Sequence, residues 1–181
     1  MTVFVALLRA INVGKRQLPM AELRKLCAEL GFDNPETYIA SGNLLIGAEA
    51  SADDVRSTLE KAITERFGFP VDVIVRAGAD WAAYRDCNPF ANDPHAQAKM
   101  VHLALPRDPI KPGAIEALRE RAVSGERIEE ACDAIWIDYG DSGVAGSKLT
   151  PAYIDKVSGS PVTGRNWNTV LKLQAMIEAR A

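Results

Sequence analysis

The chain has 181 residues, of which 48% are hydrophobic and 25% charged, with a formal net charge of −3. That length suits one compact domain or two small subdomains sharing a core, and the composition is that of an ordinary soluble globular protein. The negative balance excludes a global positive field able to draw in nucleic acid or an anionic membrane, so nucleic acid is not favoured as a partner.

The opening stretch MTVFVALLRAINVG carries the apolar run Val3–Leu8, ended by Arg9. This run is far short of the roughly 20 residues of a membrane span, and it has neither a basic leader nor a small-residue cleavage site. No membrane association is expected. Its β-forming residues predict a central strand covered on both faces. The loop INVGKRQL follows, and Pro19 opens a helix, where its missing N–H costs nothing. Met20, Leu23, Cys27 and Leu30 recur at helical spacing, and Gly31 closes the helix as a left-handed cap. Glu36–Ala40 reads as a strand, Ser41-Gly42 as a turn, and Asn43–Ile46 as the returning strand.

Ser51 caps a second helix, with Asp53 and Asp54 in its first turn, where the helix dipole favours them. Val55, Leu59, Ile63 and Phe67 form its stripe, and Gly68 ends it. Val71, Val73 and Val75 alternate as a half-buried strand. The order over residues 3–76 is β-α-β-β-α-β, the ferredoxin-like arrangement. Residues 78–98 hold a short helical stretch around Trp81 and Tyr84, then the composition of a connector.

The pattern then restarts. Lys99–Leu105 (KMVHLAL) resembles the first strand, and Pro112 opens a helix with Ile115, Leu118 and Ala122 on one face. Arg127–Cys132 and Ala134–Tyr139 make a hairpin in which Ile135, Ile137 and Tyr139 share a side. Thr150 and Pro151 start another helix, with Leu149 and Ile154 spaced as a hydrophobic staple and Gly159 as the stop. The repeated order predicts an internal duplication. No last strand is visible in the second half, where Thr163–Ala181 reads as a helix with Val170, Leu173 and Ile177 on its buried stripe. The expected fold is α+β: a ferredoxin-like half at 1–77, a connector at 78–98, and a second α/β half at 99–181 that ends in a helix instead of its last strand.

Cys27, Cys87 and Cys132 are odd in number and widely spaced, with no CxxC. This predicts neither a disulfide framework nor a zinc knuckle, and hence a reducing, cytoplasmic home. Gly14-Lys15 lies between a strand and a helix, but a phosphate loop needs glycine five residues earlier and Ser or Thr after the lysine. Those positions hold Arg9 and Arg16, so the nucleotide-triphosphate reading fails. Lys15 and Arg16 read as solvated surface, whereas Arg9 ends an apolar strand and must find water or a partner.

The stretch Thr163-Gly164-Arg165-Asn166-Trp167-Asn168-Thr169 opens the final helix, where free N–H groups and the dipole meet a guanidinium and short polar side chains. Arg165, Asn168 and Lys172 fall along one side at helical spacing, a surface suited to a phosphate or carboxylate. Thr163 or Asn166 reads as an N-cap and Trp167 as a core anchor. His102 lies within a strand and reads as packed, His95 has no neighbours that complete a metal set, and no GxSxG elbow is present. Asp138 and Asp141 in DYGDSG read as turn decoration, because the other acidic positions of a calcium loop are missing. No metal site is indicated, no catalytic constellation stands out, and a cofactor is not legible in the sequence. The third strand, NLLIG, has no aromatic on which a base would stack, so an RNA-binding sheet has little support.

Three segments together resemble a bacterial family known as a domain of unknown function, family 1697. They are ALLRAINVGKRQLPMAELRKLCAELGF with TYIASGN at residues 6–43, NPF at 88–90, and SKLTPAYIDKVSGSPVTGRNWNTVLKL at 147–173. Ala10 and Lys15 stand where that family often has glycine. The resemblance implies two ferredoxin-like parts and no established activity, substrate or catalytic residue. Its motif positions are Arg9, Asn12, Ser41, Asn43, Lys148, Arg165, Asn166 and Asn168, and they are mostly polar.

Together these residues motivate a binding module for a small anionic, phosphate-bearing ligand. The candidate ligand-binding residues are Arg9, Asn12, Lys15, Ser41, Asn43, Lys148, Arg165, Asn166, Asn168 and Lys172. The alternatives are an enzyme of group transfer that works by positioning and electrostatics, or a protein or RNA interaction module. The oligomeric state is not legible in the sequence.

Overall fold

The structure, a computed structural model, describes residues 1–180. The chain divides into two compact units, Met1–Trp81 with the stretch from Met176 onward, and Ala82–Ala175.

The first unit contains β1 (Thr2–Leu8), α1 (Met20–Glu29), β2 (Asp33–Tyr38), β3 (Asn43–Ala48), α2 (Ala52–Phe67) and β4 (Val73–Ala77). The strands form an antiparallel sheet in the order β2-β3-β1-β4, with Leu7 opposite Asn43 and Phe4 opposite Ala77. This is the ferredoxin-like order, reached because each strand-helix-strand crossover leaves room for a central strand. One face of β1, carrying Phe4, Ala6 and Leu8, packs with Leu23 and Leu26 of α1 and Val55, Leu59 and Ile63 of α2. Val5 and Leu7 on its other face are buried as well, as a continuous apolar run predicts.

Local signals place the helix ends. Ser51 and Asp54 make a reciprocal capping box at α2, and Gly68 ends it in the left-handed region with φ 77°. Gly31, with φ 81°, follows α1 in the same way.

From the first unit, α3 (Gly78–Asp86) leads into the second, which holds β5 (Val101–Pro106), α4 (Ala114–Arg121), β6 (Arg127–Ala131) and β7 (Ala134–Asp138). A short 3₁₀ turn and α5 (Gly143–Gly146) precede α6 (Pro151–Ser158), β8 (Val162–Asn166) and α7 (Trp167–Glu178). The sheet order β6-β7-β5-β8 repeats that of the first unit. Its core joins Ile135, Ile137 and Tyr139 of the hairpin to Leu118 of α4 and Leu149 and Ile154 around the start of α6. The Thr150 hydroxyl accepts from the Tyr153 N–H, with Pro151 in the first turn, as the sequence predicts.

Two expectations are corrected. The second half does end in a helix, but its last strand is present: β8 pairs antiparallel with β5, setting Arg165 opposite Leu103 and Thr163 opposite Leu105. An edge strand needs only ladder partners, and Val162 is the one residue of β8 in the apolar core, so no alternation announces it. The expected absence of a disulfide is also overturned, because Cys87 and Cys132 are bonded, with Cα atoms 6.5 Å apart across a sequence separation of 45. The hairpin turn meets the end of α3 only after folding, so linear spacing carries no sign of the pair. No helix among the described residues is long and apolar enough to cross a membrane.

Candidate functional site

At the end of β1, Arg9 sends Nη1 to within 3.4 Å of Asp72 Oδ2, so the strand-ending cation has a carboxylate partner. Its backbone N–H donates to the Asp72 carbonyl at 3.0 Å. Asn12 braces the loop. Its amide donates to the carbonyls of Leu18 (3.1 Å) and Ala40 (2.7 Å), and its Oδ1 accepts from the Leu18 N–H (2.8 Å). This contact brings the first loop against the β2–β3 turn. There the buried Asn43 donates to the Tyr38 carbonyl and to the Ser41 hydroxyl, which stands exposed. Asn12 and Asn43 therefore hold the fold, while Lys15 and Ser41 face solvent. Ala10 and Asn12 both adopt positive φ, 50° and 55°. The chain thus enters the loop in the left-handed conformation that glycine favours, even with alanine in place.

Lys148, Arg165, Asn166, Asn168 and Lys172 belong to the second unit. Arg165 lies buried on β8, and its Nη1 donates to Thr163 Oγ1 and to the Gly164 carbonyl, each at 2.9 Å. Burial pulls its pKa down to about 10, which leaves it cationic at neutral pH. Asn166 caps α7 by accepting from the Thr169 N–H at 3.0 Å. Asn168, Lys172 and Lys148 are exposed. Asp138 does more than decorate a turn. It is buried, accepts from Arg127 Nε and from the Gly140 N–H, and so anchors the chain as β7 ends. His102 is packed edge-on to Tyr139 with ring centroids 5.0 Å apart, and burial lowers its pKa.

The first unit also has a cleft of about 670 Å³ beside α2, lined by Arg16, Ser57, Glu60, Lys61, Thr64 and Asp72 among others. Ser57, Lys61 and Thr64 recur at helical spacing on the side of α2 away from its Val55, Leu59, Ile63 stripe. Arg16 arrives from the first loop, its guanidinium 5.9 Å from the Phe69 ring centroid. Of the three lining carboxylates, Glu60, Glu65 and Asp72, two have described donors: Glu60 accepts from the Val73 N–H at 3.0 Å and from Arg56 at 3.4 Å, and Asp72 faces Arg9. Of the candidate residues named from sequence, Arg9 therefore borders this cleft through Asp72. Lys61, Ser57 and Thr64 were missed. The one signal for them is the polar face of α2, which reads like any solvated helix surface.

The family described as Protein of unknown function (DUF1697) matches this chain over residues 1–136. No curated protein matches it. Among solved structures, the conserved bacterial protein SP0830 from Streptococcus pneumoniae aligns with a TM-score of 0.75 at 22% identity, covering 97% of this chain and 98% of that one. At that identity the likeness speaks to the fold.

Proposed function

We propose, for this chain, which belongs to the family described as Protein of unknown function (DUF1697), that its first unit binds a small anionic, phosphate-bearing ligand in the cleft beside α2. The observation that carries this reading is that Arg16 and Lys61, from separate elements, line one cleft together with the Ser57 and Thr64 hydroxyls. Its volume lies within the roughly 300–1,000 Å³ of small-molecule sites. Charge-assisted hydrogen bonds from an arginine fork and a lysine are strong ties to a phosphate. The lining carboxylates favour a ligand that also carries a cationic or hydrogen-donating part, as an amine-bearing phosphate does. The same reading extends to the exposed Asn168 and Lys172 of the second unit as a separate polar surface. The common strand order of the two halves supports an internal duplication.

The test is a thermal-shift and calorimetric titration with inorganic phosphate, pyrophosphate, nucleotides and an amine-bearing phosphate ester, with a neutral sugar as control. A ligand at a hundred times its dissociation constant adds roughly 2.7 kcal/mol of stability. The stabilisation is expected to vanish in the Arg16→Ala, Lys61→Ala double variant and to persist in Lys172→Ala. Equal behaviour of the wild type and the double variant with every anion would overturn the assignment of this cleft.

A further inference from the structure

We infer that Cys87 and Cys132 form a reversible redox clasp that fastens the connector following α3 to the tip of the β6–β7 hairpin. The pair joins two elements far apart in sequence, the end of α3 and a two-residue turn. In that turn Cys132 and Asp133 both take positive φ, 51° and 53°, the conformation of a tight hairpin turn that asparagine and glycine normally occupy. Cysteine has no local advantage there, so its presence is explained by the bond it makes.

Cys132 is exposed and Cys87 half-buried, so a small thiol in solution reaches the bond from the hairpin side. Cys27, by contrast, is fully buried, and burial pushes its thiol up to about 12, which keeps it out of exchange. Past the clasp, Arg127 of the same hairpin makes two further ties to the connector: its guanidinium sits 4.9 Å from the Phe90 ring centroid and pairs with Asp93. Opening the bond therefore releases the start of the connector while those contacts remain.

The exchange balances with a small thiol as reductant. A thiolate attacks Sγ of Cys132, the Sγ–Sγ bond breaks, and Cys87 leaves as a thiolate that takes up a proton. A second thiolate then attacks the sulfur of the small thiol in the mixed disulfide and carries it off as a small disulfide. Cys132 is left as a thiol. Two electrons pass from two small thiols to the protein, and the reverse reaction with a small disulfide closes the clasp.

The full chain is equilibrated in glutathione buffers running from oxidising to reducing, quenched with a thiol-alkylating reagent without unfolding, and weighed. Two thiols are expected to label on reduction and none in the oxidised protein, and a non-reduced digest yields a Cys87–Cys132 linked peptide. Limited cleavage by a low-specificity protease within residues 87–98 is expected to rise roughly tenfold on reduction, as the local opening cost falls. In Cys87→Ser and Cys132→Ser the cleavage is expected to be fast and indifferent to the buffer. If either variant fails to fold, the wild-type comparison decides alone. Labelling of both cysteines under oxidising conditions overturns the clasp, and so does a linked pair whose reduction leaves connector cleavage unchanged.

Discussion

Arg127 Nη2 lies 2.5 Å from Oδ2 of Asp138, a carboxylate whose side chain is only 4% exposed. Arg127 also meets Asp93 and the Phe90 ring, so one side chain fastens the connector to the β6–β7 hairpin. Removing it leaves Asp138 buried with the Gly140 N–H as its remaining described donor. Arg127→Ala is therefore expected to cost about 2 kcal/mol in urea unfolding, the penalty of a buried charge that loses its partner. Asp93→Asn is expected to cost far less, because that carboxylate is only half-buried, its side chain 22% exposed against 4% for Asp138. Equal losses from the two variants would contradict this ranking.

Gly42 packs where no side chain fits. Its φ is 83°, and a Cβ there would stand 2.8 Å from both Ile11 Cδ1 and Leu8 Cβ. Both contacts are interior, and the Gly42 carbonyl accepts from the Leu8 N–H at 2.8 Å. Gly42→Ala combines backbone strain with overpacking and is expected to destabilise by about 2–3 kcal/mol in chemical denaturation. A loss of a few tenths would mean that the loop relaxes freely.

In the same loop cluster Ile39 presents the opposite situation. It is 51% exposed and holds φ at 49°, a conformation that β-branched residues avoid. Its replacement forfeits little burial and relieves the backbone. Ile39→Asn is expected to raise stability by about 1 kcal/mol, read from the denaturation midpoint. A decrease would show that the isoleucine side chain contributes packing that outweighs the strain.

His102 links stability to pH. Burial depresses its folded pKa below the ordinary 6.5, so the unfolded chain binds a proton more readily than the native one. The contribution is present above 6.5 and is lost as pH falls through that value toward the folded pKa. Unfolding free energies taken from about pH 7 to about pH 5 should therefore fall more steeply in the wild type than in His102→Gln. Parallel curves would remove His102 as the source.

Much of the first half is legible in the sequence because its signals are local. Ser51 with Asp54, Gly68 and Gly31 announce helix ends through groups only a few residues away, and the unbroken apolar run Val3–Leu8 announces a strand covered on both faces. The membership of Arg16 and Lys61 in one cleft is not legible, since each residue alone reads as solvated charge. Similarly, the polar motif positions split between scaffold and surface: Asn12, Asn43 and Asn166 are occupied by backbone partners, whereas Lys15, Asn168 and Lys172 are not enclosed.

By itself, then, the sequence determined the run of helices and strands, their caps and the ferredoxin-like order of the first half, because capping and periodicity act within a few residues. Tertiary structure alone decided that Val162–Asn166 is a strand, that Asp138 is buried against Arg127, and that Cys87 meets Cys132. Each of these depends on partners 11 to roughly 60 positions away, and no residue pattern records a contact that exists only once the sheet has assembled.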